Sequence, residues 1–165
     1  MQTREVMSGR LIRPMRADDC DTVITLLGDS DPWKTLGYSR EDWKGIFCPT
    51  PQGRECFVAE AEGRIAGIAI VRQKFLLGDY LELLGVAAWA RNQGAGKQLI
   101  GHVESLVFAR TKNLFACVSD FNKGAREFYR KQGYHEIGPM PNFLIPGSAE
   151  ILLRKTAGPA REQSR

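Results

Sequence analysis

The hydrophobic pattern of the chain changes its period after residue 86, and this change constrains the fold more than any other feature. Tyr80–Val86 is an apolar run typical of a β-strand, whereas the apolar residues between Leu99 and Val107 recur at the spacing of a helix. Arg91–Lys97, between them, contains two glycines and leads directly into the helix. A strand, a glycine loop and a helix in direct succession predict a sheet covered by helices.

Other patterns extend this arrangement along the chain. Proline is tolerated at a sheet edge but not in an inner ladder, so Ser8–Arg16, with Pro14, is predicted to be a short edge strand. The segment Ala61-Glu62-Gly63 indicates a hairpin between two strands. The complete order, β-α-(α)-β-β-β-α-β-α-β-β, predicts an α/β fold on a mixed sheet. The further predicted strands are Glu55–Glu60, Arg64–Arg72, Leu114–Val118, Tyr134–Ile137 and Ala149–Arg154, and the further helices are Asp18–Leu27, Ser39–Phe47 and Lys123–Gln132.

Length and composition narrow the class of protein. A chain of 165 residues fits one domain. Its 43% hydrophobic and 25% charged residues are ordinary for a soluble protein, and its apolar runs are too short to span a membrane, so we expect a cytoplasmic protein with no membrane partner. The net charge is +4, but Arg154–Arg165 holds four basic residues and one acid, so no nucleic-acid partner is expected.

The cysteines are scattered without a Cys-x-x-Cys pair, and the chain has only two histidines. Neither a zinc site nor a disulfide framework is therefore predicted, and we expect four reduced thiols and no bound metal. The cysteines are Cys20, Cys48, Cys56 and Cys117.

The glycine loop predicts a phosphate ligand, because backbone N–H groups can approach an anion and the dipole of the new helix stabilises negative charge. A Walker A loop is excluded because it needs glycine where Arg91 stands. A dinucleotide loop starting at Gly94 is excluded because it needs glycine or alanine where Leu99 stands. The remaining pattern, Arg-x-x-Gly-x-Gly, resembles the acyl-coenzyme A pyrophosphate loop of the GNAT N-acetyltransferase superfamily, although the glycines also fit a closely packed, capped helix start.

A second motif resembles the same superfamily. Residues 122–129, Asn-Lys-Gly-Ala-Arg-Glu-Phe-Tyr, with Gly133 and Tyr134, match its pattern Asn-x-x-Ala-x-x-Phe-Tyr-x-x-x-Gly-Phe/Tyr. Asn122 and Tyr129 are about two helical turns apart and so share a face, with Phe128 expected to pack inward as Tyr129 points to the cleft. Each residue alone also fits a structural role, as an N-cap or as a core aromatic. The two motifs together carry the resemblance over roughly residues 12–154.

The resemblance implies a GNAT fold, with a mixed and mostly antiparallel sheet of six to seven strands flanked by about four helices. It implies one N-acetyltransferase domain over residues 1–155, followed by a basic tail over residues 156–165, and homodimers are common in the superfamily. The implied function is acetyl transfer from acetyl-CoA to a primary amine of a small molecule or peptide by direct attack. The alternative is a catalytically silent acyl-CoA-binding domain that acts as a sensor or interaction module.

The resemblance also implies which residues bind acetyl-CoA. The backbone at Leu84 and Val86 is expected to hold the pantetheine arm, Asn122 to bond to that arm, and Tyr129 to lie beside the sulfur. The pyrophosphate is expected at the loop residues Arg91, Asn92, Gln93, Gly94, Ala95, Gly96 and Lys97.

For the chemistry, Tyr129 is the candidate acid. A phenol with a pKa of ~10 transfers its proton to a thiolate of pKa ~8.5 at a cost of about 2 kcal/mol, so hydrogen bonding to the thiolate is the favoured role. Glu82 is the candidate base, because it interrupts an apolar strand where desolvation raises a carboxyl pKa. A Glu82 that reaches solvent or a structural arginine is the alternative, with a water chain moving the proton.

The resemblance implies that the acceptor amine binds to two regions. The region after the first helix carries Trp33, Tyr38 and Trp43, and the loop before the last strand carries Phe143. The ribosomal-protein alanine acetyltransferases share both motifs, but their catalytic glutamate stands five residues before the motif asparagine, where this chain has Cys117. Their N-terminal-amine specificity therefore does not carry over. Cys117 itself is expected to be a buried strand thiol.

Overall fold

The computed structural model describes residues 6, 7 and 9–163. These residues form five α-helices and eight strands, of which the first has only two residues. The helices are α1 (Cys20–Gly28), α2 (Trp33–Leu36), α3 (Arg40–Phe47), α4 (Ala95–Arg110) and α5 (Lys123–Lys131). The strands are β1 (Val6–Met7), β2 (Arg10–Pro14), β3 (Arg54–Ala61), β4 (Arg64–Phe75), β5 (Gly78–Val86), β6 (Asn113–Ser119), β7 (His135–Pro141) and β8 (Ala149–Thr156).

The strands hydrogen-bond in the order β1-β2-β3-β4-β5-β6-β8-β7. The β5–β6 pair is parallel, whereas β1–β2, β2–β3, β6–β8 and β7–β8 are antiparallel. The predicted fold class, α/β on a mixed sheet, is confirmed. One prediction within it is wrong: β2 is not an edge strand, because β1 pairs with its outer side, and Pro14 is tolerated as the last residue of the strand.

The chain divides into two compact units, and the first comprises the residues up to Val71 together with Leu83–Val103. In its core, α1 and α3 cover strand residues with apolar side chains of helical spacing. A capping box begins α3: the Ser39 hydroxyl accepts from the Asp42 N–H at 3.1 Å, and the Asp42 carboxylate accepts from the Ser39 N–H at 2.7 Å. The core residues are Val23, Ile24, Leu27, Trp43, Phe47, Cys56, Val58, Ile68, Ile70 and Leu83.

The first unit contains a disulfide between Cys20, at the start of α1, and Cys48, just after α3, with Cα atoms 6.3 Å apart. The expectation of four reduced thiols is therefore wrong for this pair. The sequence hides the pairing because 28 residues separate the two cysteines and only the packing of α1 against α3 brings them together. Cys56 and Cys117 are not disulfide-bonded, as expected.

The second unit comprises Arg72–Glu82 together with the residues from Glu104 onward. Its β6 pairs with β8 along all seven of its residues, but with β5 only from Leu114 to Ala116. Arg110 at the end of α4 bonds to the buried Asp79 carboxylate at 2.7 Å. Within the part of the chain that the structure describes, no helix is long and apolar enough to cross a membrane.

Candidate functional site

The glycine loop lies in the first unit and has an exposed backbone with an unusual conformation. Residues 91–94 are all exposed, and α4 begins at Ala95. Asn92 and Gly94 have φ angles of 58° and 84°, in the left-handed region that these two residue types tolerate best. The first backbone N–H groups of a helix have no partner inside it and carry its positive dipole end. An exposed loop of this shape fits an anion such as a diphosphate.

The loop makes hydrogen bonds to the residues on both of its sides. The Gln93 amide donates to the Trp89 carbonyl at 3.0 Å, and the Arg64 guanidinium lies 4.1 Å from the centroid of the Trp89 ring. The Gln98 N–H donates to the Gly94 carbonyl at 3.0 Å and closes the first turn of α4. The backbone of the loop is therefore held in place before any ligand arrives, which lowers the entropy that binding must lose.

Two glycines set the packing beneath the loop. A Cβ at Gly67 would lie 2.8 Å from the Gly85 carbonyl oxygen and 2.9 Å from Leu99 Cδ1. A Cβ at Gly85 would lie 2.9 Å from Leu27 and 3.2 Å from Cη2 of Trp33. Only glycine at these positions lets α4, α1 and Trp33 approach β4 and β5 this closely.

The aromatic residues predicted to contact the acceptor form a cluster in the first unit. Tyr38 stacks on Trp43 with ring centroids 4.6 Å apart, and Trp33 meets Trp43 edge-on at 6.0 Å. Trp43 is buried and holds the cluster, whereas Trp33 and Tyr38 are only half-buried. Phe143 belongs to the second unit, where it is 59% exposed between β7 and β8.

Asn122 and Tyr129 stand at the two ends of α5 in the second unit. The Asn122 side-chain oxygen accepts from the Ala125 N–H at 3.1 Å, so Asn122 is the N-cap. Tyr129, rather than Phe128, is the buried aromatic of the helix, and its ring lies 5.3 Å from that of Tyr134. Phe128 is half-buried, and that Phe128 packs inward as Tyr129 points to the cleft stays a prediction. Burial raises the pKa of Tyr129 above its ordinary value.

Cys117 lies among polar groups on one face of the second unit. It is the half-buried residue of an otherwise buried β6, so the expectation of a buried thiol holds only in part. Its thiol bonds to Tyr80 and interacts electrostatically with Tyr129. Burial raises the pKa of Cys117, and burial and the neighbouring Cys117 raise the pKa of Tyr80. A thiol with a raised pKa is a poor nucleophile at neutral pH, so this face is suited to proton chemistry rather than to a covalent intermediate.

Glu82 lies on the same face of β5 as Tyr80. Burial alternates along this strand: Tyr80, Glu82, Leu84 and Val86 are half-buried and the residues between them are buried. This confirms the expected shared strand face of Glu82, Leu84 and Val86. The Glu82 carboxylate accepts from Arg72 at 3.0 Å, so it reaches an arginine of the adjacent strand β4.

Sequence reasoning missed a second carboxylate, Glu150, at the start of β8. Glu150 is 7% exposed, and its carboxylate accepts from the Ser119 hydroxyl at 2.5 Å. Burial raises the pKa of Glu150, the Ser119 bond opposes that rise, and the negative charge of Asp120 adds to it. The sequence does contain a signal for Glu150, because this acid stands near the start of an apolar strand, just as Glu82 stands within one.

Comparison with known proteins places this geometry in a family. The profile of the Acetyltransferase (GNAT) family matches residues 20–134, which include the glycine loop and α5. The chain belongs to the GNAT family. The predicted membership of this family is thereby confirmed.

One curated relative is the 5-NmdU N-acetyltransferase of Pseudomonas phage PaMx11, which is 37% identical over 82 residues. The matched region is 49% of this chain and 57% of the relative, so this GNAT chain spans little more than half the length of that protein.

Solved structures agree with the GNAT fold. The ribosomal-protein-S18-alanine N-acetyltransferase of Escherichia coli superposes with a TM-score of 0.78 at 18% identity, covering 94% of this chain and 99% of that one. Ard1 from Thermoplasma volcanium gives 0.76 at 18% identity, covering 90% and 97%. An aminoglycoside 6'-N-acetyltransferase complexed with coenzyme A gives 0.73 at 20% identity, covering 92% and 99%. At these identities the likeness shows a shared fold.

Proposed function

We propose that this GNAT protein is an N-acetyltransferase that transfers the acetyl group of acetyl-CoA to a primary amine by direct attack. The observation that carries the proposal is the exposed, braced loop at the N-terminus of α4, with its left-handed Asn92 and Gly94. That loop supplies backbone N–H groups to a diphosphate, and the chain belongs to a family that uses acetyl-CoA.

The proposed acetyl-CoA contacts follow the family motifs residue by residue. The backbone of residues 92–97 binds the pyrophosphate, with Arg91 adding positive charge beside it. The backbone at Leu84 and Val86 pairs with the pantetheine arm, and Asn122 bonds to that arm. Asn122 serves this role from the N-cap position of α5, which fixes its side chain.

Tyr129 is the proposed partner of the departing thiolate. Because burial raises its pKa, its proton is held more firmly than that of an ordinary phenol, and full transfer to a thiolate of pKa ~8.5 is even less favourable than in water. Tyr129 therefore acts as a neutral hydrogen-bond donor that stabilises negative charge on sulfur as the bond to carbon breaks. Glu82, on the face of β5 that also carries Tyr80, is the candidate base that its place in an apolar strand suggests.

The proposed acceptor is a primary amine of the 5-NmdU type. The phage relative, identical at 37% of 82 positions, is named for that substrate. The half-buried rings of Trp33 and Tyr38, held by the buried Trp43, offer faces on which a flat ring can stack. A small-molecule amine is thus favoured over a peptide.

A release assay tests the proposal. The protein is incubated with acetyl-CoA and one of three amines, 5-NmdU, kanamycin or an alanine-initiated peptide, and free coenzyme A thiol and product mass are both measured. We expect 5-NmdU to give the highest rate and a product heavier by one acetyl group, with N-acetylated 5-NmdU as the unreactive control. Acetyl-CoA binding without turnover of any amine would instead favour the catalytically silent domain.

A further inference from the structure

We infer that Glu150 accepts the proton of the acceptor amine, with Ser119 as its positioning residue. This inference rests on the proposed acetyltransferase function and assigns a residue that the family motifs do not contain. It concerns a cluster that lies entirely in the second unit.

The register of the sheet builds this cluster. Ser119 pairs with Glu150 across β6 and β8, and side chains of paired residues lie on one face. Cys117, two residues before Ser119, shares that face because side chains alternate along a strand. Tyr80 reaches the same face from β5 and bonds to the Cys117 thiol. Two strand pairings therefore bring a carboxyl, two hydroxyl groups and a thiol together.

The cluster also connects Glu150 with the proposed thiolate side of the reaction. The thiol of Cys117 interacts electrostatically with Glu150 and with Tyr129. Cys117 occupies the position where the ribosomal-protein branch of the family has its catalytic glutamate. A thiol with a raised pKa does not replace that carboxylate as a base, and Glu150 supplies a carboxylate to the same face from the neighbouring strand β8.

The surroundings of Glu150 suit a base better than those of Glu82. The Glu82 carboxylate is bonded to the Arg72 guanidinium. Glu150 accepts from a neutral hydroxyl, and the charged group that acts on it is the negative Asp120. Burial and Asp120 both favour its protonated form, so Glu150 holds an accepted proton more readily than an ordinary glutamate does.

Glu150, as carboxylate, takes one proton from the acceptor ammonium, and the freed lone pair forms a bond to the acetyl carbon. The carbon–sulfur bond breaks, and Tyr129 donates a hydrogen bond to the thiolate that leaves. The second amine proton passes to that thiolate to give neutral coenzyme A, and Glu150 returns its own proton to water.

The test is the pH dependence of kcat/KM with the amine that the unmodified protein acetylates fastest in the release assay. When the reaction needs the base as a carboxylate, kcat/KM falls at pH values below the pKa of that base in the free enzyme. This fall is the acid limb of the pH profile. In Glu150→Gln we expect kcat/KM to drop roughly 10²-fold or more and the acid limb to disappear. In Glu82→Gln, which replaces the competing candidate base on β5, the limb should remain.

Two further variants move the limb in opposite directions. Ser119→Ala removes a hydrogen bond to the carboxylate, which raises the pKa of Glu150, so the limb should move to higher pH. Asp120→Asn removes a negative charge, which lowers the pKa of Glu150, so the limb should move to lower pH. If Glu150 had only a structural role, neither variant would shift the acid limb.

Stabilisation by acetyl-CoA separates the possible failures. Each variant must keep the thermal shift that acetyl-CoA gives the unmodified protein, which shows that the fold and the cofactor site survive. If Glu150→Gln keeps its rate and its limb while Glu82→Gln loses them, the inference is overturned and the proposed function stands. If the unmodified protein acetylates no amine, the proposed function fails, and the inference fails with it.

Discussion

Reduction of the Cys20–Cys48 disulfide should destabilise the protein measurably. The bond closes a loop across a sequence separation of 28 residues, and the chain-entropy relation for a loop of that length gives about 3.5 kcal/mol of stabilisation. For a chain of this size, that loss lowers the melting temperature by roughly 7–14 °C. The segment inside the loop carries Trp33, Tyr38 and Trp43, so the ordering of the aromatic cluster should weaken with it.

The assay combines thiol counting with thermal unfolding. In denaturant without reductant, we expect two of the four cysteines to react with a thiol reagent, and all four after reduction. The double variant Cys20→Ser/Cys48→Ser should melt at the lower temperature with or without reductant. Cys117→Ser, the matched control, should keep its sensitivity to reductant. Four reactive thiols before reduction, together with an unchanged melting temperature after it, would refute the disulfide.

Two further predictions concern single residues. Tyr129→Phe should lower kcat roughly 10²-fold, because it removes a hydrogen-bond donor to the developing negative charge, and should leave the acetyl-CoA dissociation constant nearly unchanged. A loss of affinity for acetyl-CoA with no loss of kcat would instead assign Tyr129 to cofactor binding. The Asp19 carboxylate accepts two hydrogen bonds from Arg13, at 2.7 and 3.0 Å, and these bonds hold the pKa of Asp19 below its ordinary value. The ionised carboxylate therefore contributes about 2 kcal/mol to the free energy of unfolding above pH ~4, and this contribution is lost as the pH falls through the folded-state pKa. Urea unfolding of Asp19→Asn should therefore show a deficit at pH 7 that shrinks toward pH 3, and a deficit independent of pH would contradict the ion pair.

Local signals in the sequence predicted most of the elements. The helix predicted over Ser39–Phe47 is α3, and Gly63 and Gly133 adopt the left-handed φ angles of 71° and 90° typical of glycine at a hairpin and after a helix. The glycine loop and the Asn122–Tyr129 motif predicted the family because each needs only a few neighbouring residues to be recognised.

The features that sequence reasoning missed all depend on distant residues. Cys20 meets Cys48 only through helix packing, and Glu150 meets Ser119 only through the register of β6 and β8, across 31 residues. The two-residue β1 and the one-turn α2 were missed because elements this short carry no period. The burial of Tyr129 follows from its contact with Tyr134, which the helical spacing of α5 alone does not reveal.

The most direct test of the acetyl-CoA site is the thermal shift produced by acetyl-CoA. At ~100 times its dissociation constant, a ligand of the native state adds about 2.7 kcal/mol. Gly94→Glu places a negative charge at the proposed pyrophosphate site, where a Cβ meets open space but the φ of +84° strains any side chain. Gly53→Glu is the matched control, because Gly53 has a φ of +83° and the same open space but lies outside the α4 loop. We predict a clear shift for the unmodified protein and for Gly53→Glu, and none for Gly94→Glu; equal shifts in all three, or none in any, would contradict the assignment of the α4 loop to acetyl-CoA.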